Sequence, residues 1–287
     1  MTGNPDYRPI YDDIVQMTGE FNLGRLSTEG EAICFEPRPV TPGTLRYGSG
    51  HRSSAMELLL FMMPALFHCD FRTKLELGGV THSPFSCPTS FVKEALLSAL
   101  EQIGLYGSLM LQRFGFHGSG GGSIEARIYP REERRGKISE GRGSQPEIAG
   151  VKIIISHLDT SLAEIEKELI AKAIGIDAGR ISIIEVMESD GPGNGVQVFT
   201  TINGLPAVLS REMLLYNTDG ELSFSEESLR GEIAGLAQEV KRLMDGMPPE
   251  RLVRELYPYW VLTGTGPASA GESPGIAKTR ELCEILL

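Results

Sequence analysis

Basic residues are in short supply. Lys and Arg number 27 against 38 Asp and Glu, a formal net charge of −11. Coating a long nucleic acid by neutralising its phosphates needs a dominant basic face, so that class is excluded, while a small site reading one nucleic-acid end stays open. Cysteine is also scarce. Cys34, Cys69, Cys87 and Cys283 form no CxxC pair and have no metal spacing, which argues against a disulfide scaffold and for a reducing, cytoplasmic setting. The five histidines, His51, His68, His82, His117 and His157, combine with no Cys, Ser or carboxylate in a hydrolase or metal pattern, and no Walker loop occurs. Residues 1–20 lack a basic segment leading into an apolar run, which argues against a signal peptide. The richest apolar run, 56–67, is too short to span a bilayer and carries Glu57 and Pro64, so no membrane partner is expected.

The apolar content is ample for a core, and 287 residues accommodate one large domain or two modest ones. The stretch 77–129 organises the chain. Ser86, Thr89 and Ser90 offer helix caps, Pro88 pre-sets a first turn, and Phe91, Val92, Ala95, Leu96, Ala99, Leu100 and Ile103 form an apolar stripe that Gly104 ends. Strands follow on either side of a glycine triplet, with Leu105, Leu109 and Leu111 on one side and Ile124, Ala126 and Ile128 on the other.

Residues 10–37 repeat this plan of helix, strand, Gly-bearing loop and strand. The second copy is preceded by a strand near 44–47, a helix over 55–67 and a strand over 71–77; the first copy has no such forerunner. Its apolar face therefore needs a cover, either the C-terminal helices or another subunit, and the chain's own helices are favoured. The run 131–143 reads as a solvated crossing between domains. Beyond it come a strand at 151–156, a helix at 162–174 capped by Thr160 or Ser161, a strand at 180–187, and a hairpin of 196–202 with 205–209 turning at Asn203 and Gly204. A long amphipathic helix from 225 to 244 is assigned back to the large domain, followed by a short helix at 250–256 and a helical tail, LCEILL. The division is 1–135 and 223–287 for a large domain, with 136–222 as a small α/β module.

Three strings stand out in order: GGVTHSPFSCP (78–88), GFHGSGGGSIEARIYP (115–130) and SDGPGNGVQV (189–198). Together they resemble the signatures of the RNA 3′-terminal phosphate cyclase family, over about residues 11–256. The resemblance implies an α/β (α+β) fold in which repeated helix-strand-strand units form a large domain and a small α/β domain is inserted. It implies ATP and a divalent metal as cofactors, an RNA end as partner, and an activity that makes 2′,3′-cyclic phosphate ends through a histidine–AMP intermediate. The resemblance sets that histidine near the C-terminus, where this sequence reads GESPGIAKT (271–279); VRELYP (253–258) replaces an acidic and amide pair, and an opening Gly-rich, Arg/Lys-bearing segment is unmatched. The expectation is a catalytically degenerate member that binds RNA ends or a ribonucleoprotein. The alternatives are an active cyclase with a relocated nucleophile, His82 or His117, and an assembly subunit that pairs with a protein partner or a second copy through its incomplete N-terminal repeat.

The candidate site residues fall in three groups. His51, Arg52, Ser53 and Ser54 open the apolar helix with free backbone N–H groups, as a phosphate cradle or an ordinary capped start. Thr81 and His82 follow a Gly-Gly turn in a loop, where the imidazole reaches a ligand or merely faces solvent. Arg113 and His117 flank Phe114 and Phe116, as a phosphate and base site or beside aromatics buried at a bulge. Residues 190–194 read as a tight turn, and His68 and His157 as structural.

Overall fold

Parallel strands β3 (Gly43–Gly48) and β4 (Thr73–Gly79) pair along their whole length, joined by helix α2 (Ala55–Phe67). The helix starts where Ser54 accepts a hydrogen bond from Glu57 N, and its unbroken apolar run buries Met56, Leu58, Leu59, Met62 and Leu66 almost completely. Each such side chain contributes about 1.5–3 kcal/mol on leaving water. In the computed structural model of the chain the described residues are 8–264, less 30, 31, 50–52, 131–144, 203, 214, 217–221, 224 and 248. The expected crossing at 131–143, the tail LCEILL and the stretch GESPGIAKT lie outside them.

After β4 the expected helix over 91–103 forms, with its stripe buried, but it opens as a π-turn. Residues Phe91–Leu96 are π-helical, with Leu97 N–H donating to Val92 O, before the α-helical turn α3 (Leu97–Gln102). Gly104, at φ 80, ends the segment. Ser90 occupies the cap position without a side-chain bond. Antiparallel β5 (Gly107–Arg113) and β6 (Gly122–Ile128) then complete a sheet of order β3-β4-β6-β5, with β5 at its edge and a bulge between Leu111 and Arg113.

The first copy of the repeat forms α1 (Arg8–Glu20) and the hairpin β1 (Gly24–Glu29) and β2 (Ala32–Pro37). Among the described residues its apolar side packs on the second unit, in a core that also takes in residues of the C-terminal helix over 250–263. Met17, Phe21 and Leu23 join one core with Leu45 and Tyr47 of β3, and the Phe21 and Tyr47 rings meet edge to face at 6.3 Å.

A second sheet has the order β10-β9-β7-β8, from β7 (Glu147–Ser156), β8 (Ile181–Glu185), β9 (Gly193–Ile202) and β10 (Leu205–Glu212). Helix α4 (Thr160–Ile174) crosses from β7 to parallel β8, capped by Asp159 rather than by Thr160 or Ser161: the Asp159 carboxylate accepts from Ser161 N at 2.9 Å. Helix α5 (Glu226–Met244) also packs here, against the expectation that it returns to the first sheet. Its stripe of Leu229, Ile233, Leu236 and Val240 shares a core with Val151, Ile153, Val196 and Val198, because α4 alone leaves half of that sheet face bare. Helix α6 (Glu250–Thr263), longer than expected, does return: Leu252, Leu256 and Tyr259 enter the first core, with Tyr259 edge-on to Phe67 at 5.7 Å. No described helix is long and apolar enough to cross a membrane.

Candidate functional site

The β3-α2-β4 crossover brings the loops after two parallel strands to one end of the sheet, the position where open α/β sheets hold ligands. Val80 N–H donates to Ser53 O and Ala55 N–H to Val80 O, both at 2.9 Å, so the two loops are stitched together. The hydroxyls expected to greet a phosphate have protein partners. Ser53 Oγ donates to the Asp13 carboxylate, which also accepts from Tyr47 Oη at 2.6 Å, and burial raises the Asp13 carboxyl above its ordinary range. Ser54 Oγ caps α2. His51 and Arg52 lie outside the described residues.

Thr81 and His82 do not stand on the surface as a loop reading implies. Both are buried, their backbone N–H groups donate to Gly115 O at 2.8 and 3.0 Å, and His117 N–H donates back to His82 O at 2.9 Å. Thr81 Oγ1 is 2.9 Å from His82 Nδ1 and accepts from Gly115 N at 3.0 Å. The His82 ring stacks on Phe114, with centroids 5.0 Å apart, and leans on Phe116 at 5.5 Å. Enclosure pushes its pKa down to about 4, so the imidazole is neutral. His117 meets Phe85 edge to face at 5.2 Å. Phe114 and Phe116, as the bulge reading has it, pack inward, against Ile154 and Ile184 of the second sheet and Val186 just past β8.

Arg113 is committed as well. Its guanidinium donates to Gly121 O at 2.9 Å and pairs with Asp190 at 2.7 Å, so the glycine triplet and the SDGPGNG loop meet face to face. A Cβ on Gly121, at φ +71, would overlap the Asp190 carboxylate, and one on Gly193 would enter the Phe116 ring. These two glycines serve close approach across the seam. The turn reading of 190–194 thus understates Asp190, and Asn194 lies fully buried in β9 with its amide donating to Glu166. His157, at φ 50, holds Ser189 O through Nε2 at 3.0 Å, and His68 caps the end of α2; both are structural, as read.

Beside the seam lies a cavity of about 510 Å³ where edge strand β5 and the start of the π-turn meet the second sheet. His82 and Phe114 form one wall. Lys152, Gln197 and Phe199 form the other, sharing one face of β7 and β9, with Lys152 directly opposite Gln197 in the ladder. Lys152 Nζ lies 4.6 Å from the centre of the Phe199 ring. Of the predicted residues the structure gathers Thr81, His82, Arg113 and His117 around the seam, and links Ser53 and Ser54 to them through Val80.

A protein-family model for RNA 3′-terminal phosphate cyclase matches residues 14–260. The chain belongs to the RNA 3′-terminal phosphate cyclase family. A protein named RNA 3′-terminal phosphate cyclase from Koribacter versatilis is 27% identical over 202 residues, covering 70% of this chain and 55% of that relative. Relatives of the same name from Ralstonia nicotianae and Pseudomonas fluorescens are each 29% identical, over 167 and 166 residues, covering 58% and 57% of this chain and 47% of each relative. The chain thus spans about half the length of the curated relatives it matches. Among the described residues no three His, Cys, Asp or Glu side chains converge as a set of metal ligands. Sequence reasoning missed Lys152 and Gln197. The available signal was the run Ile153, Ile154 and Ile155, which is apolar on both faces of a strand and so announces a second covered face.

Proposed function

We propose that this cyclase-family chain binds RNA 3′ ends, alone or within a ribonucleoprotein, without forming a covalent nucleotide intermediate. The observation that carries the reading is the enclosure of His82. It is 2% exposed, neutral, bonded to Thr81 and stacked on Phe114, which suits a scaffold role and not attack on a phosphorus centre from a solvent-facing loop. The family match over 14–260 and the joined loops at the ends of β3 and β4 support a phosphate-bearing ligand. His157 is likewise committed, its Nε2 held to Ser189 O at 3.0 Å.

Two measurements test this. Incubation with α-labelled ATP, with and without 3′-phosphorylated RNA, followed by denaturing electrophoresis, is expected to leave the chain unlabelled. A labelled band abolished by His82→Asn or His117→Asn would replace this reading with that of a nucleotidyl-transfer enzyme. Titration with 3′-phosphorylated and 3′-hydroxyl oligoribonucleotides is expected to show a preference for the phosphorylated end; equal, millimolar binding of both would remove the RNA-end role.

A further inference from the structure

The buried pair of Glu166 and Asn194 is one donor short. Asn194 Nδ2 donates to Glu166 Oε1, while Glu166 Oε2 and Asn194 Oδ1, both closed off from solvent, have no partner among the described residues. Each such acceptor, buried and unbonded, is destabilising. A single proton on Oε2 answers both, because the acid O–H can then donate to Asn194 Oδ1 and close an acid–amide ring.

The surroundings supply no other donor or charge. Ile153 and Ile155 of β7, Val196 of β9, and Leu229, Ile233 and Leu236 of α5 make up the core here. Along α4 the residues three and four positions from Glu166 are Leu162, Ala163, Leu169 and Ile170. The charged residues that flank the pair in register on this face of the sheet are Arg211 of β10, opposite Val196, and Glu185 of β8, beside Ile155. Arg211 is engaged with Glu232 and Glu239 of α5, and Glu185 is exposed at the sheet edge. Neither acts on Glu166, whose carboxyl responds to burial and to Asn194.

Position gives the pair a reach beyond its own core. Asn194 is the second residue of β9, and Gly193 before it lies so near the Phe116 ring that a Cβ there would enter the ring. Four residues before Asn194, Asp190 holds Arg113. On the opposite face of β9 the Glu212 carboxyl folds over Gly195, its Oε1 3.1 Å from where a Cβ would stand. The start of β9 is thus fixed on one side by α4 and on the other meets the first sheet's loop.

We propose that Glu166 and Asn194 form a proton-operated latch on the seam. With the proton on Oε2 the ring is closed, the start of β9 is held and Gly193 stays against Phe116. When the proton passes to solvent, a carboxylate is left beside an amide oxygen with no donor between them, and the stretch 189–194 releases the first sheet. Burial pushes the Glu166 pKa up to about 7, so the latch is closed below that and opens as pH rises through it. The device belongs to the fold and does not rest on the RNA-end reading.

Hydrogen exchange of the full chain, read by mass spectrometry on peptides covering 113–122 and 187–195 and corrected for the intrinsic pH dependence of exchange, tests the latch at pH 6 and pH 8. A carboxyl of pKa about 7 when closed and 4.5 when open changes the opening constant by at most about tenfold between these values, so wild type is expected to lose protection about three- to tenfold. Glu166→Gln replaces the acid O–H with an amide donor and should keep its protection at both pH values, whereas Asn194→Leu should be equally unprotected at both. If either fails to fold, Glu166→Met, which cannot ionise, carries the test by losing the pH response. His157 and Glu212 touch the same stretch, and His157→Asn and Glu212→Gln should retain the response. A response that persists in Glu166→Gln or Glu166→Met, or that vanishes in His157→Asn or Glu212→Gln, overturns the latch. So does wild-type protection that is the same at pH 6 and pH 8.

Discussion

Glu166 is a carboxylic acid in the wrong place for a charge. It sits on α4 with no exposed surface, its Oε1 accepts from the Asn194 amide, and its Oε2, like Asn194 Oδ1, has no partner among the described residues. Burial, only partly offset by the Asn194 hydrogen bond, pushes its pKa from 4.5 up to about 7. Between those values the folded chain holds a proton that the unfolded chain has released. Stability is therefore fully present below pH 4.5 and is lost as pH rises through about 7. At roughly 1.4 kcal/mol for each pH unit between 4.5 and about 7, the ceiling on the loss is about 3.5 kcal/mol. Glu212, half-buried as a residue but with its carboxyl pushed up to about 8 by burial, adds a second loss of the same sign. It cancels when wild type is compared with Glu166→Gln. That variant keeps the shape and cannot ionise, so urea titrations should find it close to wild type at pH 5 and more stable by about 1–3 kcal/mol at pH 8. A difference that stays constant from pH 5 to pH 8, or a variant less stable at pH 8, would refute the buried neutral acid.

The remaining predictions concern the seam and the caps. Gly121→Ala should cost about 1–3 kcal/mol, from its positive φ and the overlap with Asp190, and calorimetric melting should register it. In an Asp190→Ala background the overlap disappears, so the two changes should be non-additive by more than about 0.5 kcal/mol; strict additivity would deny the contact. Arg113→Ala alone should cost at most about 1 kcal/mol in denaturant titration, because both partners are more than a third exposed. Ser54→Ala should remove about 1 kcal/mol by taking the cap from α2, measured the same way.

Local chemistry made some of this architecture legible. Helix α2 spans 55–67 as read, because Ser54 is a strong cap and the apolar run behind it has no competing pattern. The duplicated helix and hairpin was visible because both copies carry the same alternation. The π-turn was not visible, since the stripe from Phe91 to Ile103 buries the same side chains whether a carbonyl is met four or five residues on. Nor could the stripe of α5 name its partner: amphipathicity says that one face is covered, not which of two sheets covers it. Arg113 misled for a related reason. A guanidinium beside three glycines reads as a phosphate site until its carboxylate, 77 residues away in sequence, is brought alongside.

The seam changes what the glycine signature means in this chain. A glycine-rich loop is commonly explained by backbone N–H groups turned toward a phosphate, yet here Gly121 and Gly193 leave room for Asp190 and the Phe116 ring, and Arg113 neutralises the same aspartate. Side chains at those two positions would force the sheets apart. The cavity beside β5 exists only while they stay together, since its walls come one from each sheet. Retention of the glycine strings is therefore accounted for by geometry even where no covalent chemistry is performed.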